Sequence, residues 1–179
     1  MFGSDLGHNK QFGFSNNAIP PTTPLFLNTY PNAALAYSVF KLNNTYAGKC
    51  LRVRRSSDNT ETDIGFISNY IDTSSLLSFT GVYSGFVVKW YDQSGNGNDL
   101  VQTTAVTQPQ IVNAGTLIVI NGKAAMNFDG VNDTLALTTP IANGNLFTNL
   151  SVIQRSGLST VGLSLTSNDS SFNYTPTPY

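Results

Sequence analysis

Charge is what this chain has least of. Lysine, arginine, aspartate and glutamate make up 11% of its 179 residues, where a typical soluble domain carries ~25%. The formal net charge is −1 at pH 7, so there is no basic field to attract nucleic acid or an anionic membrane. The single cysteine, Cys50, excludes an internal disulfide. A buried, inert thiol is expected there rather than a nucleophile. The single histidine, His8, has no partner beside it and no expected metal or base role. No apolar run approaches the ~18 residues of a membrane-crossing helix. The opening stretch, MFGSDLGHNKQFGFSNN, has neither the basic start nor the apolar segment of a standard secretion signal.

Asn, Thr, Ser and Gly stand in for the missing charge, around an ordinary 40% hydrophobic content. They are poor helix formers but suit turns and strand surfaces. The length allows one good core. Residues 1–31 read as an extended arm, because Pro20, Pro21, Pro24 and Pro31 impose extended backbone. Phe2, Phe12, Phe14 and Phe26 are unusual in a free tail, and are expected to anchor the arm in a neighbouring subunit. Residues 32–179 are expected to form a mostly β domain, left incomplete at its C-terminal end.

Within that domain, Ala34, Leu35, Val39 and Leu42 of PNAALAYSVFKL have helical spacing behind Pro31, which predicts a short helix. Leu51 and Val53 alternate with Arg52 and Arg54, SSDNT supplies a turn, and Ile64 and Phe66 alternate again, so a hairpin follows. Arginines in RVRR fit a basic edge that discourages strand pairing. DTSSLLSF offers an Asp72 cap and a short helix. GFVVKWYD is a strong strand. PQIVN, TLIVI, AAMNF, TLAL, NLSVI and TVGLSL read as further short strands, closed by turn residues. Strands at this spacing argue for a β-sandwich. No internal repeat is present.

The stretch WYDQSGNGNDL, residues 90–100, is the most distinctive. Asp92, Ser94, Asn96 and Asn98 place oxygens at alternate positions, as a hard cation such as calcium requires. The twelfth position of an EF-hand count is Thr103, not a bidentate glutamate, and no helix flanks the loop. The alternative is structural: Asp92 and Asn96 bond backbone N–H groups while Gly95 and Gly97 adopt left-handed conformations. That reading is expected, with no cofactor. Trp90 and Tyr91 point to opposite faces of one strand. One belongs to the core, and the other, with Asn96 and Asn98, is a candidate sugar-stacking platform. The N-x-S/T triplets at Asn43, Asn132, Asn149, Asn168 and Asn173 are what chance gives in so Asn- and Thr-rich a chain.

AYSVFKL, RVRRSSDNTETDIGF, WYDQSGNGNDL, TQPQIVNAG and NGKAAMNFDGVNDTL occur in that order. Together, over about residues 33–137, they resemble the N-terminal half of the arabinofuranosidase B catalytic domain. That domain belongs to the concanavalin A-like, laminin-G-like jelly rolls. The same run of motifs also resembles tailed-phage structural proteins. The resemblance to the enzymes implies a retaining glycosidase, with two carboxylates ~5–5.5 Å apart. In the family these are a Glu in a His-Met-Glu context and an Asp after Gly-Gly, and neither motif occurs in this sequence. Glu61, the only glutamate, lies in a hairpin turn beside Asp58 and Asp63. The expected function is therefore a non-enzymatic virion protein of a bacteriophage: a head fibre, capsid decoration or tail component located in the virion. Its expected partners are capsid or tail proteins and further copies of itself, such as a trimer. The alternatives are a carbohydrate-binding module that recognises a cell-surface glycan, or a fragment of an arabinofuranosidase.

Overall fold

The computed structural model describes residues 23–139, 141, 154, 165–167 and 170–172. In chain order its elements are a short helix α1 (Phe26–Thr29), then β1 (Leu51–Arg55), β2 (Glu61–Ile64), β3 (Phe66–Ile67) and β4 (Tyr70–Ile71). Helix α2 (Thr73–Thr80) and β5 (Gly85–Trp90) follow. Next come β6 (Leu100–Val101), a 3-10 turn (Ala105–Thr107), β7 (Gln110–Asn113), β8 (Thr116–Leu117), β9 (Val119–Ile120), β10 (Lys123–Ala124) and β11 (Ala136–Leu137). A separate hairpin joins β12 (Leu165–Ser167) to β13 (Ser170–Phe172). The protein is thus mostly β, with antiparallel sheets and few helices.

The main sheet has seven strands, with the order β11-β6-β5-β1-β2 and β7 and β8 joined on through β5. Strand β1 runs along the whole of one edge of β5. Strands β7 and β6 share its other edge end to end, β7 beside Gly85 and Phe86 and β6 beside Lys89 and Trp90. Directly opposed residues share a face, so the pairing sorts the side chains into two sets. Ile64–Leu51–Trp90, Val53–Val87 and Gly85–Val112 form rows on one face. Asp63–Arg52–Lys89 and Glu61–Arg54–Phe86–Gln110 form rows on the other.

The first face is the core. Cys50, Leu51, Val53, Ile64, Ile71, Leu76, Val87, Ile111 and Val112 are buried together. Leu76 from α2 and the partly buried Val39, Phe66, Phe79 and Met126 pack against them. Gly85 is required by this packing. A Cβ there would lie 2.9 Å from Thr80 Cγ2 and 3.2 Å from Val53 Cγ1, closer than packed carbons approach. Helix α2 starts as expected, with Asp72 Oδ1 accepting the Ser75 N–H at 2.9 Å and Oδ2 the Ser75 hydroxyl at 2.6 Å.

Three expectations fail. Residues 31–42 are not a helix, and the one helical turn nearby is α1. Their backbone groups are instead used by distant parts of the chain. The Ala36 carbonyl accepts from Gln93 N–H, Val39 from Ile71, and Leu42 from Leu27, while Lys41 N–H donates to Asn69. Asn32 at φ 67° bends the entry. Tertiary hydrogen bonds have displaced a weak local preference. Nor do the RVRR arginines mark an edge, for β1 is interior, between β2 and β5. TLIVI is divided between β8 and β9, which pair with different strands, β7 and β10. Phe2, Phe12 and Phe14, and the segment NLSVI, lie outside the described residues. Phe26 lies in α1, half-exposed, with its ring centroid 5.1 Å from that of Tyr30.

Asp72→Ala removes the cap of the helix that covers the core. It is expected to cost ~1 kcal/mol and to lower the melting temperature by about 2–4 °C, read by thermal denaturation. No change in melting temperature would show that the cap contributes nothing.

Candidate functional site

The loop 92–99 is organised by one buried carboxylate. Asp92 is 4% exposed. Its Oδ1 accepts the N–H groups of Ala36 (2.8 Å) and Ser94 (2.9 Å). Its Oδ2 accepts the Ser94 hydroxyl (2.6 Å) and the Asn98 N–H (3.1 Å). Gly95 and Gly97 take φ of 93° and 74°, the left-handed bends expected of them. Asn96 and Asn98 donate their amide N–H groups to the carbonyls of Ala33 and Ala34. Asp99 Oδ1 accepts the Asp92 N–H, and its Oδ2 meets Lys89 Nζ at 3.3 Å. The four oxygens considered for a cation are therefore not gathered on an open centre: protein donors already fill both Asp92 oxygens. The loop's donors and acceptors bind it to residues 33–36.

Trp90 and Tyr91 divide as the strand geometry requires. Trp90 packs against the core with Leu51 opposite, its ring 5.7 Å from Tyr37. Tyr91 lies on the other face. Its hydroxyl donates to Asp63 Oδ1 at 2.9 Å, and Lys89 Nζ stands 5.2 Å from its ring centroid. Burial, then the bond to Asp63, raises the Tyr91 phenol from 10.0 to about 12. Burial, then the charge of Asp99, raises Tyr46 to about 12 as well. Tyr37, whose hydroxyl donates to the Asn98 carbonyl, is pushed above the ordinary tyrosine range by burial and then by Asp92 and Asp99. Cys50 is fully buried and burial pushes its thiol up, so it is inert core. Glu61 and Asp63 both bind Arg52, at 2.7 and 3.2 Å. This makes Glu61 an ion-pair partner in the structure.

A second feature lies on this polar face, and sequence reasoning missed it. A cavity of about 490 Å³ is lined by Arg54, Phe86, Ala105, Val106, Gln108, Gln110, Asn127, Asp129 and Asp133. Its parts come from β1, β5, the 3-10 turn, β7 and the turn before β11, which only the fold brings together. Arg54 donates from Nε to Gln108 Oε1 (2.7 Å), from one terminal nitrogen to Asn59 Oδ1 (2.8 Å) and from the other to the Ala105 carbonyl (3.2 Å). Its guanidinium carbon lies 4.9 Å from the Phe86 ring centroid. Asp129 Oδ1 accepts backbone N–H groups of Val131, Asn132 and Asp133, and the first two hold its carboxyl below the usual range. Burial raises Asp133. The one available signal was FDGVND, a turn with two aspartates four apart, but nothing in it told which strands it would face.

Asp92→Ala leaves four donors without their acceptor and is expected to destabilise by ~3 kcal/mol or more in urea, while calcium is expected to leave the wild-type melting temperature unchanged. A calcium-dependent rise would return the loop to the metal reading. The raised tyrosines bind their protons more tightly folded than unfolded. Their contribution is complete below pH 10 and is lost as pH rises from about 10 to about 12. Alkaline unfolding followed by tyrosinate absorbance should show the ionisation of Tyr91 and Tyr46 coinciding with loss of structure.

Comparison with known proteins identifies the scaffold. Residues 28–135 match the family model for the catalytic domain of α-L-arabinofuranosidase B. Among solved structures, the chain is similar to an α-L-arabinofuranosidase of glycoside hydrolase family 54 soaked with a cyclic sulfate inhibitor. The identity is 32%, over 38% of this chain and 15% of that one, with a TM-score of 0.36. An arabinofuranosidase complexed with arabinofuranosyl-α-1,2-xylobiose gives the same values. The chain thus spans 15% of the length of these enzymes. No curated protein matches it. The family match overturns the expectation of a non-enzymatic virion, capsid or fibre protein, because the matched family is a catalytic domain. That expectation took the missing His-Met-Glu and Gly-Gly-Asp motifs as lost chemistry. A stretch that matches so small a share of the enzymes is silent on where their catalytic carboxylates lie. By the match over residues 28–135, the chain belongs to the α-L-arabinofuranosidase B catalytic-domain family.

Proposed function

We propose that this chain forms part of the catalytic domain of an α-L-arabinofuranosidase, a glycoside hydrolase that releases arabinofuranosyl units. The observation that carries the reading is the family match over residues 28–135, the stretch that builds most of the main sheet and its polar face. On this reading the sheet is one layer of a concanavalin A-like, laminin-G-like jelly roll. Its apolar face supports the core and its polar face is turned to the glycan. No residue of this chain is assigned the part of nucleophile or acid, because the family's two motifs for them do not occur in it. What the chain contributes is rigidity. Buried carboxylate and amide bonds at Asp92 and Gln93 hold the strand ends in place, and catalytic groups need positioning to within a fraction of an ångström.

The test is a segment exchange. Residues 28–135 replace the matching segment of an active arabinofuranosidase, and release of 4-nitrophenol from 4-nitrophenyl α-L-arabinofuranoside is measured. Turnover within about tenfold of the parent is expected, with none on the corresponding glucopyranoside. A folded chimera without arabinofuranosidase activity would overturn the proposal.

A further inference from the structure

The cavity over Arg54 is charged in an unusual way. Arg54 is 9% exposed, yet its hydrogen bonds among the described residues go only to neutral acceptors: Gln108, Asn59 and the Ala105 carbonyl. The other two arginines of RVRR each hold a carboxylate, Arg52 through Glu61 and Asp63 and Arg55 through Asp58. Glu61 stands opposite Arg54 across the β1–β2 pair but gives its carboxylate to Arg52, so the Arg54 guanidinium has no hydrogen-bonded carboxylate, and a buried cation in that state is costly. A guanidinium has five N–H donors. Three of those of Arg54 are engaged, which leaves two without an acceptor among the described residues. Two carboxylates, Asp129 and Asp133, line the same cavity but make no ion pair with it.

This arrangement selects against charge of either sign. An anion drawn to Arg54 meets two aspartates, and a cation drawn to the aspartates meets a buried guanidinium. A neutral molecule dense in hydroxyls suits both. Its O–H groups donate to the carboxylates, its oxygens accept from Arg54 and from the amides of Gln108, Gln110 and Asn127, and its C–H surface lies against Ala105 and Val106. The volume of about 490 Å³ falls within the ~300–1,000 Å³ of small-molecule sites. The raised carboxyl of Asp133 marks it as the more desolvated of the two aspartates.

We propose that the cavity formed by Arg54, Phe86, Gln108, Gln110, Asn127 and Asp133 binds neutral glycosyl units. None of these residues is assigned a part in bond cleavage, so binding here is tested separately from the hydrolytic activity proposed above.

The experiment is a titration of the full chain with neutral arabino-oligosaccharides, followed by calorimetry and amide chemical shifts. Anionic galacturonate and cationic glucosamine oligomers serve as comparisons. Binding of the neutral series is expected, with shifts at Phe86, Gln108, Gln110 and Asn127 and at least tenfold weaker binding of both charged series. Asp133→Asn and Gln110→Ala, chosen because neither empties the core, are each expected to weaken binding about tenfold, the ~1.4 kcal/mol of one hydrogen bond. No binding at millimolar sugar, binding unaltered in both folded variants, or equal binding of a charged series would overturn the proposal. Hydrolysis is read separately. A protein that binds through these residues without releasing 4-nitrophenol keeps this site and loses the activity, whereas one that hydrolyses without binding here loses this site alone.

Discussion

The arrangement depends most on the burial of one carboxylate. Asp92 lies two residues past the central strand, and its four hydrogen bonds tie its own loop, at Ser94 and Asn98, to Ala36 of the extended segment. Its neighbour Gln93 completes the seam. The Gln93 side chain donates to the carbonyls of Ser38 and Phe40 and accepts from the Leu42 N–H. Residues 36–42 are thereby fixed in an extended course across the end of the sheet. In a protein with so few charges, a buried acceptor with all its partners in place does what ion pairs do elsewhere. Such a network is worth most when every member is satisfied.

From that seam the two faces of the main sheet acquire different roles. On one, Leu51, Val53 and Val87 meet Leu76 of α2 and exclude water. On the other, Arg52 and Arg54 are matched by different neighbours. Arg52 has Glu61 and Asp63, while Arg54 has the Phe86 ring and the Gln108 amide. The cavity exists because β7 and β6 meet β5 end to end, and the chain between them, with its 3-10 turn, rises beside the sheet. Scaffold and recess are therefore consequences of the same strand pairing.

Much of the local structure could be read from residues alone. The β1–β2 hairpin, the Asp72-capped helix and the strand at GFVVKW rest on short-range chemistry: alternation, a cap and a β-branched run. The family was legible in motifs whose order, not their individual strength, is specific. The 31–42 segment was not, since its fate is decided by donors and acceptors fifty or more residues away at Asp92 and Gln93. The buried Arg54 was hidden for a similar reason. Nothing in RVRR distinguishes the arginine bound to two carboxylates from the one beside an aromatic ring and an amide, because Phe86 and Gln108 are brought to Arg54 only by the fold. Function was misjudged by treating two absent motifs as evidence about a whole enzyme.

Trp90 has one more property. It is the only tryptophan, and it stands where the sheet, the core and Tyr37 of the extended segment meet. Its indole N–H is buried without an acceptor among the described residues. The protein therefore carries its one tryptophan at its main seam, with its ring close to Tyr37. Its emission colour reports water entry at that junction, so opening of the seam is visible optically without any added label.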